Sequence, residues 1–286
     1  MRGAFRSLFA LLLLAVAGSI AMGQQRPLLT EDVDVVKPGV VRIETGFAFL
    51  QNQQFPLSGL KGNVTQLADS RLSFGLSPMV EFQIEWTARD LLSIKSRQPS
   101  PIALKPGLLN STSDVGDARL WMKIKMRNET ASAPSLGFRF GVQLPNSDQS
   151  RGIGTNTTNF YGMVTAGKRF MDEKLNVFGN VGLGILTSPL SGFSQNDVLL
   201  YGVAGIYNVN VSDNLNLLGE VNGVHSTRKN TPLGTEGISE ARIGAQINAL
   251  GLRWDAAGIF GVSKFAPKTG FSLGITYDWD AFTPIK

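Results

Sequence analysis

His225 is the one side chain in this sequence that could act as a general base near neutral pH. It precedes Ser226 and Thr227, and Glu220 and Glu236 lie nearby, so the residue types of a serine hydrolase are present. Adjacent residues of a β-strand point to opposite faces, however, and His225 and Ser226 would not share one catalytic surface. The chain has no cysteine and only one histidine, which excludes thiol catalysis and thiolate or histidine metal clusters. We therefore predict no enzyme activity, no metal site and no cofactor.

The composition indicates a folded chain with a low charge density. Of the 286 residues, 43% are hydrophobic, 17% are charged and 32 are glycine, against about 25% charged and roughly 7% glycine in ordinary soluble domains. The net charge of +5 is too small, and too evenly spread, for a nucleic-acid-binding surface. The composition thus argues against disorder and predicts no nucleic-acid partner.

Apolar and polar residues alternate with a period of two along most of the chain. In residues 80–90, for example, Phe82 and Ile84 alternate with Glu81 and Glu85, which is typical of a strand with one apolar and one polar face. Twelve segments show the pattern: 40–51, 65–76, 80–90, 116–127, 135–145, 158–170, 175–187, 197–211, 215–227, 238–249, 252–264 and 270–282. The pattern predicts an all-β protein.

The connections between these segments are alternately short and long. Ser77–Pro78, 172–174, 212–214 and Leu250–Gly251 mark tight turns, and most of the intervening connections are longer. An up-and-down transmembrane barrel sorts its connections in this way, and a Greek-key sandwich does not. We predict a closed antiparallel up-and-down transmembrane β-barrel of about 12 strands. Closure requires the last strand, around Phe271–Trp279, to pair antiparallel with the first, around Val41–Phe49.

The first 23 residues have the pattern of a secretory signal peptide. Arg2 and Arg6 precede an apolar run over 8–16, and the small residues Ala21 and Gly23 precede the expected cleavage point. A membrane-anchoring helix is the alternative, but the run is shorter than the ~20 residues that a span needs. We predict export to the outer membrane of a Gram-negative-type bacterium, with outer-membrane lipid as a partner. The predicted regions are a signal peptide (1–23), an N-terminal segment (24–39), the barrel (40–282) and a C-terminal tail (283–286).

If the apolar faces meet lipid, the polar faces line the lumen with charges of both signs. The predicted lumen-lining residues are Arg42, Glu44, Glu81, Glu85, Arg119, Lys123, Lys125, Arg139, Glu240, Arg242, Arg253, Asp255 and Asp278. These charges either form ion pairs that fill the lumen or orient a passing solute. Glu81 and Glu85 should face Arg119, Lys123 and Lys125 on the next strand, with at least one salt bridge between the two groups.

Two segments outside the strands could control passage through the barrel. The segment 24–39 either hangs in the periplasm or folds into the lumen as a plug. The segment 91–114 is the longest predicted connection, and loops of such length are usually functional or disordered. Its apolar residues Leu104, Leu108 and Leu109 suit it to fold over the mouth as a gate.

Three short stretches resemble motifs of one family of outer-membrane proteins. They are RPLLTEDVDVVKPGVVRIETGF, SDVGDARLWMKIKM and GVQLPNSD. The matching positions are Arg26, Pro27, Thr30, Glu31, Asp32, Gly39, Glu44, Gly46, Gly116, Asp117, Arg119, Lys123, Leu144 and Pro145. They resemble the MetA-pathway phenol-degradation family, whose members are often labelled transporters. The resemblance implies an outer-membrane barrel that passes small hydrophobic or aromatic compounds. The C-terminus departs from the usual aromatic end of outer-membrane barrels, because 283–286 follow Phe282.

These features favour an outer-membrane channel for diffusive passage of small, hydrophobic or aromatic solutes, without a covalent step. A structural or surface-interaction barrel with a closed lumen is the alternative, and the state of the lumen distinguishes the two. An outer-membrane hydrolase is a weaker alternative, which would require His225 and a serine on one face.

Overall fold

The computed structural model describes residues 26–190, 194–209 and 215–284. The predicted signal peptide, the predicted turn at 212–214 and the last two residues of the predicted tail lie outside the described residues. The strands are β1 (Val40–Phe55), β2 (Leu60–Ser77), β3 (Val80–Arg97), β4 (Ser111–Asp114), β5 (Arg119–Arg127), β6 (Ser135–Gln143), β7 (Asn159–Phe170), β8 (Leu175–Thr187), β9 (Gln195–Asn208), β10 (Leu215–Ser226), β11 (Ser239–Ala249), β12 (Leu252–Gly261) and β13 (Thr269–Asp280). A 3-10 turn spans Gln149–Arg151. No helix in the described part of the chain is long and apolar enough to cross a membrane.

The strands close into one antiparallel barrel with twelve positions in its wall. Each strand pairs with its neighbours in sequence, and β13 pairs with β1. The short β4 and the longer β5 both pair with β3, so together they occupy a single position. The predicted closure is confirmed, since Val41 lies opposite Trp279 and Phe49 opposite Phe271. Closure pairs the backbone groups of the first and last strands, as a hydrocarbon environment requires.

The two ends of the barrel differ in the length of their connections. The end at which β1 begins and β13 ends, where the amide of Ala281 donates to the Gly39 carbonyl, has connections of two to seven residues. At Leu250–Gly251 both residues have positive φ (58° and 73°), as a two-residue hairpin turn requires. The opposite end carries longer connections, including 98–110, 144–158 and 227–238. This sorting places the start of β1 and the end of β13 at the periplasmic end.

The first three strands extend further towards the outer end than the sequence pattern predicts. β1 continues to Phe55 and β3 to Arg97, so the predicted loop at 91–114 shrinks to 98–110, with β4 following it. A bulge at Ala68 (φ 48°) shifts the β1–β2 register, and the buried positions of β2 are even-numbered on one side of it (Val64) and odd-numbered on the other (Ser73). A fixed period of two cannot follow a chain across such a shift. The other strand ends agree with the sequence pattern to within three residues.

The outer face of the barrel is apolar. Large hydrophobic side chains on β7 to β11 are strongly exposed there, including Phe160, Val181, Leu183, Val203 and Ile243. Burying these side chains in hydrocarbon removes an apolar surface that water would penalise. The face therefore suits a lipid environment.

Candidate functional site

The predicted lumen-lining charges lie inside the barrel, and all of them except Arg119 form ion pairs there. Direct pairs are Arg42–Asp278 (2.7 Å), Glu44–Arg253 (3.3 Å), Glu81–Lys123 (3.4 Å), Glu85–Arg139 (2.7 Å) and Glu240–Arg242 (2.6 Å). Lys125 and Asp255 pair instead with Asp34 and Arg26 of the N-terminal segment. Arg119 donates to the Gln143 side chain and faces a cavity.

The predicted salt bridge between β3 and β5 is present between Glu81 and Lys123. Glu81 reaches Lys123, but Glu85 does not form an ion pair with Arg119, although the two are register partners. The Glu85 carboxylate binds Arg71 (2.5 Å) and Arg139 (2.7 Å) instead. Two guanidinium groups from flanking strands thus replace the single expected cation.

The segment 26–39 runs through the lumen, with Glu31 at its centre. The Glu31 carboxylate, only 2% exposed, lies 2.8 Å from Lys123, 3.5 Å from Arg139 and 3.8 Å from Arg71. These cations belong to β5, β6 and β2, so one carboxylate links three parts of the wall. Burial alone would raise the pKa of Glu31, but the three cations outweigh it and hold the pKa far below its ordinary value.

Wall side chains satisfy the backbone of this segment in place of a strand partner. The amides of Leu29 and Thr30 donate to the two Glu220 oxygens at 2.8 Å each. The Glu31 amide donates to Asn180 (2.6 Å), and that of Val36 donates to Glu81 (2.7 Å). Because buried amides without partners are costly, these wall residues stabilise an extended chain inside the barrel.

Ion pairs also hold both ends of the segment. Near its start, Arg26 binds Asp69 (3.1 Å) on β2 and lies 3.8 Å from Asp255 on β12. Further along, Asp34 accepts hydrogen bonds from Lys125 (2.8 Å) and from Arg169. Burial opposes the negative charge of Asp34, but the hydrogen bond from Lys125 and the charge of Arg169 lower its pKa. The segment is therefore held electrostatically along its length.

The wall leaves space for the segment where the two approach closely. A Cβ atom on Gly202 of β9 would lie 2.5 Å from the Thr30 hydroxyl, and one on Gly46 of β1 would overlap the Arg26 guanidinium. A larger residue at either position would force the segment or the wall to shift. Gly202 and Gly46 therefore admit the segment at two separate points of the barrel wall.

Part of the lumen is apolar, contrary to the expectation that apolar faces meet lipid. Leu28 of the segment packs against Phe178, Ala204, Ile206 and Leu218, and all five side chains are at most 8% exposed. The sequence could have indicated this, because Ala204 and Ile206 are even-numbered residues of β9, as are the other residues of that strand that point inwards. A strand with apolar residues on both parities gives no indication of which face is inside.

The sequence analysis also missed an aromatic group inside the lumen. The Trp121 ring lies 3.9 Å from the Arg139 guanidinium carbon, and its indole N–H donates to Glu85 at 2.9 Å. The Tyr161 ring centroid is 5.3 Å away. Trp121 shares the parity of Arg119 and Lys123, which could have placed it inwards. The cation–π contact helps to fix Arg139 beside Glu31.

The predicted gate residues lie at three different depths. Leu104 packs against the apolar cluster of Leu60, Val64 and Leu92 at the outer end of the barrel. Leu108 is half-buried, whereas Leu109 is 79% exposed and lies outside that cluster. Arg97 binds the carbonyls of both residues.

A cavity of about 510 Å³ separates the N-terminal segment from the outer loops. Arg71, Glu85 and Arg119 lie on its polar side, and Phe55 and Ile102 lie on its outer, apolar side. We call this space the vestibule. Arg119 is the vestibule cation with no carboxylate within ion-pair distance among the described residues, because Glu85 is taken by its neighbours.

His225 lies on the outer face of β10, and Ser226 points the other way. His225 is exposed, while the Ser226 hydroxyl hydrogen-bonds to Asn196 at 3.0 Å. The two side chains do not form a catalytic pair. Among the described residues, no group of His, Asp or Glu side chains could hold a metal ion.

Solved outer-membrane barrels have the same fold. The COG4313 outer membrane channel from Pseudomonas putida F1 aligns over 87% of this chain and 98% of its own, with a TM-score of 0.61 and 16% identity. The NanC porin aligns over 83% of this chain and 98% of its own, with a TM-score of 0.51 and 9% identity. The fold is that of an outer-membrane β-barrel. Together with the apolar outer face, it confirms the predicted location in the outer membrane. No family model and no curated protein matches the chain.

Gly202→Val should weaken the docking of the segment, because the added side chain occupies the position of Thr30. Overpacking by the added side chain should cost the docked state about 1.4 kcal/mol. We therefore expect the open fraction of the barrel to rise by roughly tenfold. The matched control is Gly205→Val on the same strand, where an added Cβ meets nothing closer than 4.0 Å. Single-channel recording measures both variants. Removing the clash with Thr30→Gly should restore closure, and failure of this rescue would contradict the assigned contact.

Acid should release the segment only well below neutral pH. Docking lowers the pKa values of Glu31 and Asp34, so their ionised carboxylates stabilise the docked segment when the pH is above their ordinary pKa values of about 4. This stabilisation is lost as the pH falls through the lowered pKa values. Burial and the neighbouring Asp34 raise the pKa of Asp32, so its contribution to docking has the opposite pH dependence and is lost as the pH rises. We expect a closed barrel from about pH 8 to 5 and opening below about pH 4. Opening between pH 8 and 6, recorded as conductance, would contradict this assignment.

Proposed function

We propose that this protein is an outer-membrane channel for small solutes, closed at rest by its own N-terminal segment. The observation that carries the proposal is the course of residues 26–39 through a twelve-strand lumen. The wall binds this segment by ion pairs and hydrogen bonds to at least nine of its strands, including β1, β5 and β10. Non-covalent contacts of this kind are reversible, so the lumen can open without changing the wall.

The vestibule suggests the class of solute. A solute entering from outside meets the apolar side chains of Phe55 and Ile102 before the guanidinium of Arg119. This arrangement favours small compounds with a hydrophobic or aromatic body and a polar or anionic end. The resemblance to the MetA-pathway family points to the same class, and the fold shared with the COG4313 channel is consistent with passage. Ile102 and Leu104 of the loop 98–110 would form the outer gate.

Single-channel recording of the refolded protein tests the proposal. We expect brief openings from a closed baseline, and uptake of an aromatic carboxylate into proteoliposomes. Arg119→Gln should lower the uptake of that anion several-fold and leave a neutral aromatic alcohol unaffected, because the vestibule loses its unpaired cation. Arg228→Gln, which removes an exposed loop cation, is the matched control.

A structural barrel with a closed lumen is the second candidate. The apolar contact of Leu28 with Phe178 and the dense ion pairs around Glu31 favour it, since both would stabilise a permanently filled lumen. This candidate predicts no conductance under any condition that leaves the barrel folded. Absence of conductance in both the intact protein and a variant without the segment would replace the channel proposal with this one.

A further inference from the structure

Basic residues cluster on one side of the outer end of the barrel. We call Lys61, Lys95, Arg97, Lys264 and Lys268 the basic rim. Four of them are exposed and Lys61 is partly so. They lie where β2 and β3 extend beyond the rest of the wall, and on the adjoining loop 262–268.

The hydrogen-bond register makes the basic rim continuous. Lys61 on β2 lies opposite Gln54 on β1 and opposite Ser96 on β3. Ser96 stands between Lys95 and Arg97, and the Gln54 side chain donates to the Lys264 carbonyl at 3.0 Å. A register shift beside Lys61 leaves Lys95 without a partner on β2. Since neighbouring strands are about 4.8 Å apart, the backbone of Lys95 lies next to that of Lys61.

Among the described residues, no carboxylate lies within ion-pair distance of any member of the basic rim. The stretches 49–68, 88–113 and 261–269 contain seven basic residues and one acidic residue, Asp90. Asp90 is 8% exposed and accepts a hydrogen bond from Gln66. Like charges held together without counter-ions repel one another, so the rim favours an external anion.

The height of the basic rim identifies the kind of anion. Leu67 and Leu91 are the exposed apolar residues beneath it, at 39% and 38% exposure. Lys95 follows Leu91 by four residues, which is about 13 Å along a strand and roughly 10 Å along the axis of a tilted barrel. The polar interfacial region begins just beyond the hydrocarbon, and lysine side chains reach towards it. The rim therefore lies at the level of the headgroups of the outer leaflet.

We propose that the basic rim binds the phosphate groups of a phosphorylated glycolipid in the outer leaflet. The ammonium groups of Lys61 and Lys95 would contact a phosphate directly, while Lys264 and Lys268 would approach from the adjoining loop. The apolar face around Leu67 and Leu91 would receive the acyl chains. This binding is independent of solute passage through the lumen.

Native mass spectrometry of the full-length mature protein with added bisphosphorylated lipid A tests the proposal. The variant Lys61→Gln/Lys95→Gln/Lys264→Gln/Lys268→Gln should bind this lipid at least about a hundredfold more weakly, since each interfacial cation contributes roughly a fivefold factor. Arg97 is left in place because it holds the carbonyls of Leu108 and Leu109.

Controls separate phosphate recognition from general charge and from lipid contact. Arg127→Gln/Lys174→Gln/Arg228→Gln/Lys229→Gln removes the same charge from exposed positions elsewhere and should bind lipid A as the wild type does. Lipid A without its phosphates should bind the wild type as weakly as the rim variant binds the intact lipid. Millimolar inorganic phosphate that fully displaces the lipid would indicate a site for free phosphate. The proposal would be overturned if the wild type and the rim variant bound lipid A equally well. It would also be overturned if the wild type bound lipid A with and without its phosphates equally well.

Discussion

Removal of residues 24–39 is expected to convert the closed barrel into a steadily conducting one. The segment supplies Glu31, which binds three wall cations, and Leu28, which fills the apolar part of the lumen. Pairing of β1 with β13 begins at Val40, beyond the deleted residues, so the deletion leaves the closing ladder intact. A barrel of this size lies between filled eight-strand barrels and open porins, and its lumen then becomes accessible to water. We expect the mean current to rise at least about tenfold.

Planar-bilayer recording measures this change, and heat-modified gel mobility together with far-UV circular dichroism verifies that the barrel is folded. A synthetic peptide covering 24–39, added from the periplasmic side, should restore closure in a dose-dependent way. The same peptide with Glu31 replaced by glutamine serves as the matched control and should block poorly. A folded deletion variant that remains silent would exclude the segment as a plug.

Glu31→Gln should open the intact barrel almost as strongly as removal of the segment. The substitution preserves the shape of the side chain but leaves Lys123, Arg139 and Arg71 without their shared counter-charge. Breaking a buried pair on one side costs about 3 kcal/mol, which is roughly a hundredfold change in the docking equilibrium. Single-channel open probability should rise accordingly.

Asp32→Asn provides a control one residue away with the same isosteric change. Asp32 is also buried, but burial and the charge of Asp34 raise its pKa, so docking opposes the charge of Asp32 instead of depending on it. The Asn176 amide donates to Asp32 at 2.9 Å, and an asparagine oxygen can accept the same hydrogen bond. We expect unchanged or slightly tighter closure. If Asp32→Asn opened the barrel as much as Glu31→Gln, any loss of negative charge would loosen the segment. That result would contradict a specific role for Glu31.

The sequence alone was sufficient for the architecture of the wall. Period-two alternation identified the twelve wall positions, and the sorted connection lengths distinguished a closed barrel from a sandwich. Both signals are local, since alternation depends on one strand and its two faces, and turn chemistry depends on a few adjacent residues such as Leu250 and Gly251. The same alternation assigned Arg42, Glu44 and Lys123 to the inner face, where the structure places them.

Only the tertiary structure decided what those inner residues bind. Sequence reasoning placed Glu81 and Glu85 opposite Arg119, Lys123 and Lys125, whereas the Glu85 carboxylate binds Arg71 and Arg139 of flanking strands. The strand β3 likewise continues through residues 91–97, which sequence reasoning left in a loop, because the buried positions change from Glu81 and Gln83 to Asp90 and Leu92 and a fixed period of two does not follow that change.

The course of the N-terminal segment depends on contacts that no local pattern contains. Glu31 lies 92 positions from Lys123 along the chain, and Thr30 lies opposite Gly202, on a strand that is far away in sequence. Acidic residues before the first strand are equally compatible with a solvated periplasmic tail and with a segment inside the lumen. The choice depends on whether the closed wall offers matched cations, amide partners and space at the same places. Those properties exist only once all twelve wall positions have closed around the segment.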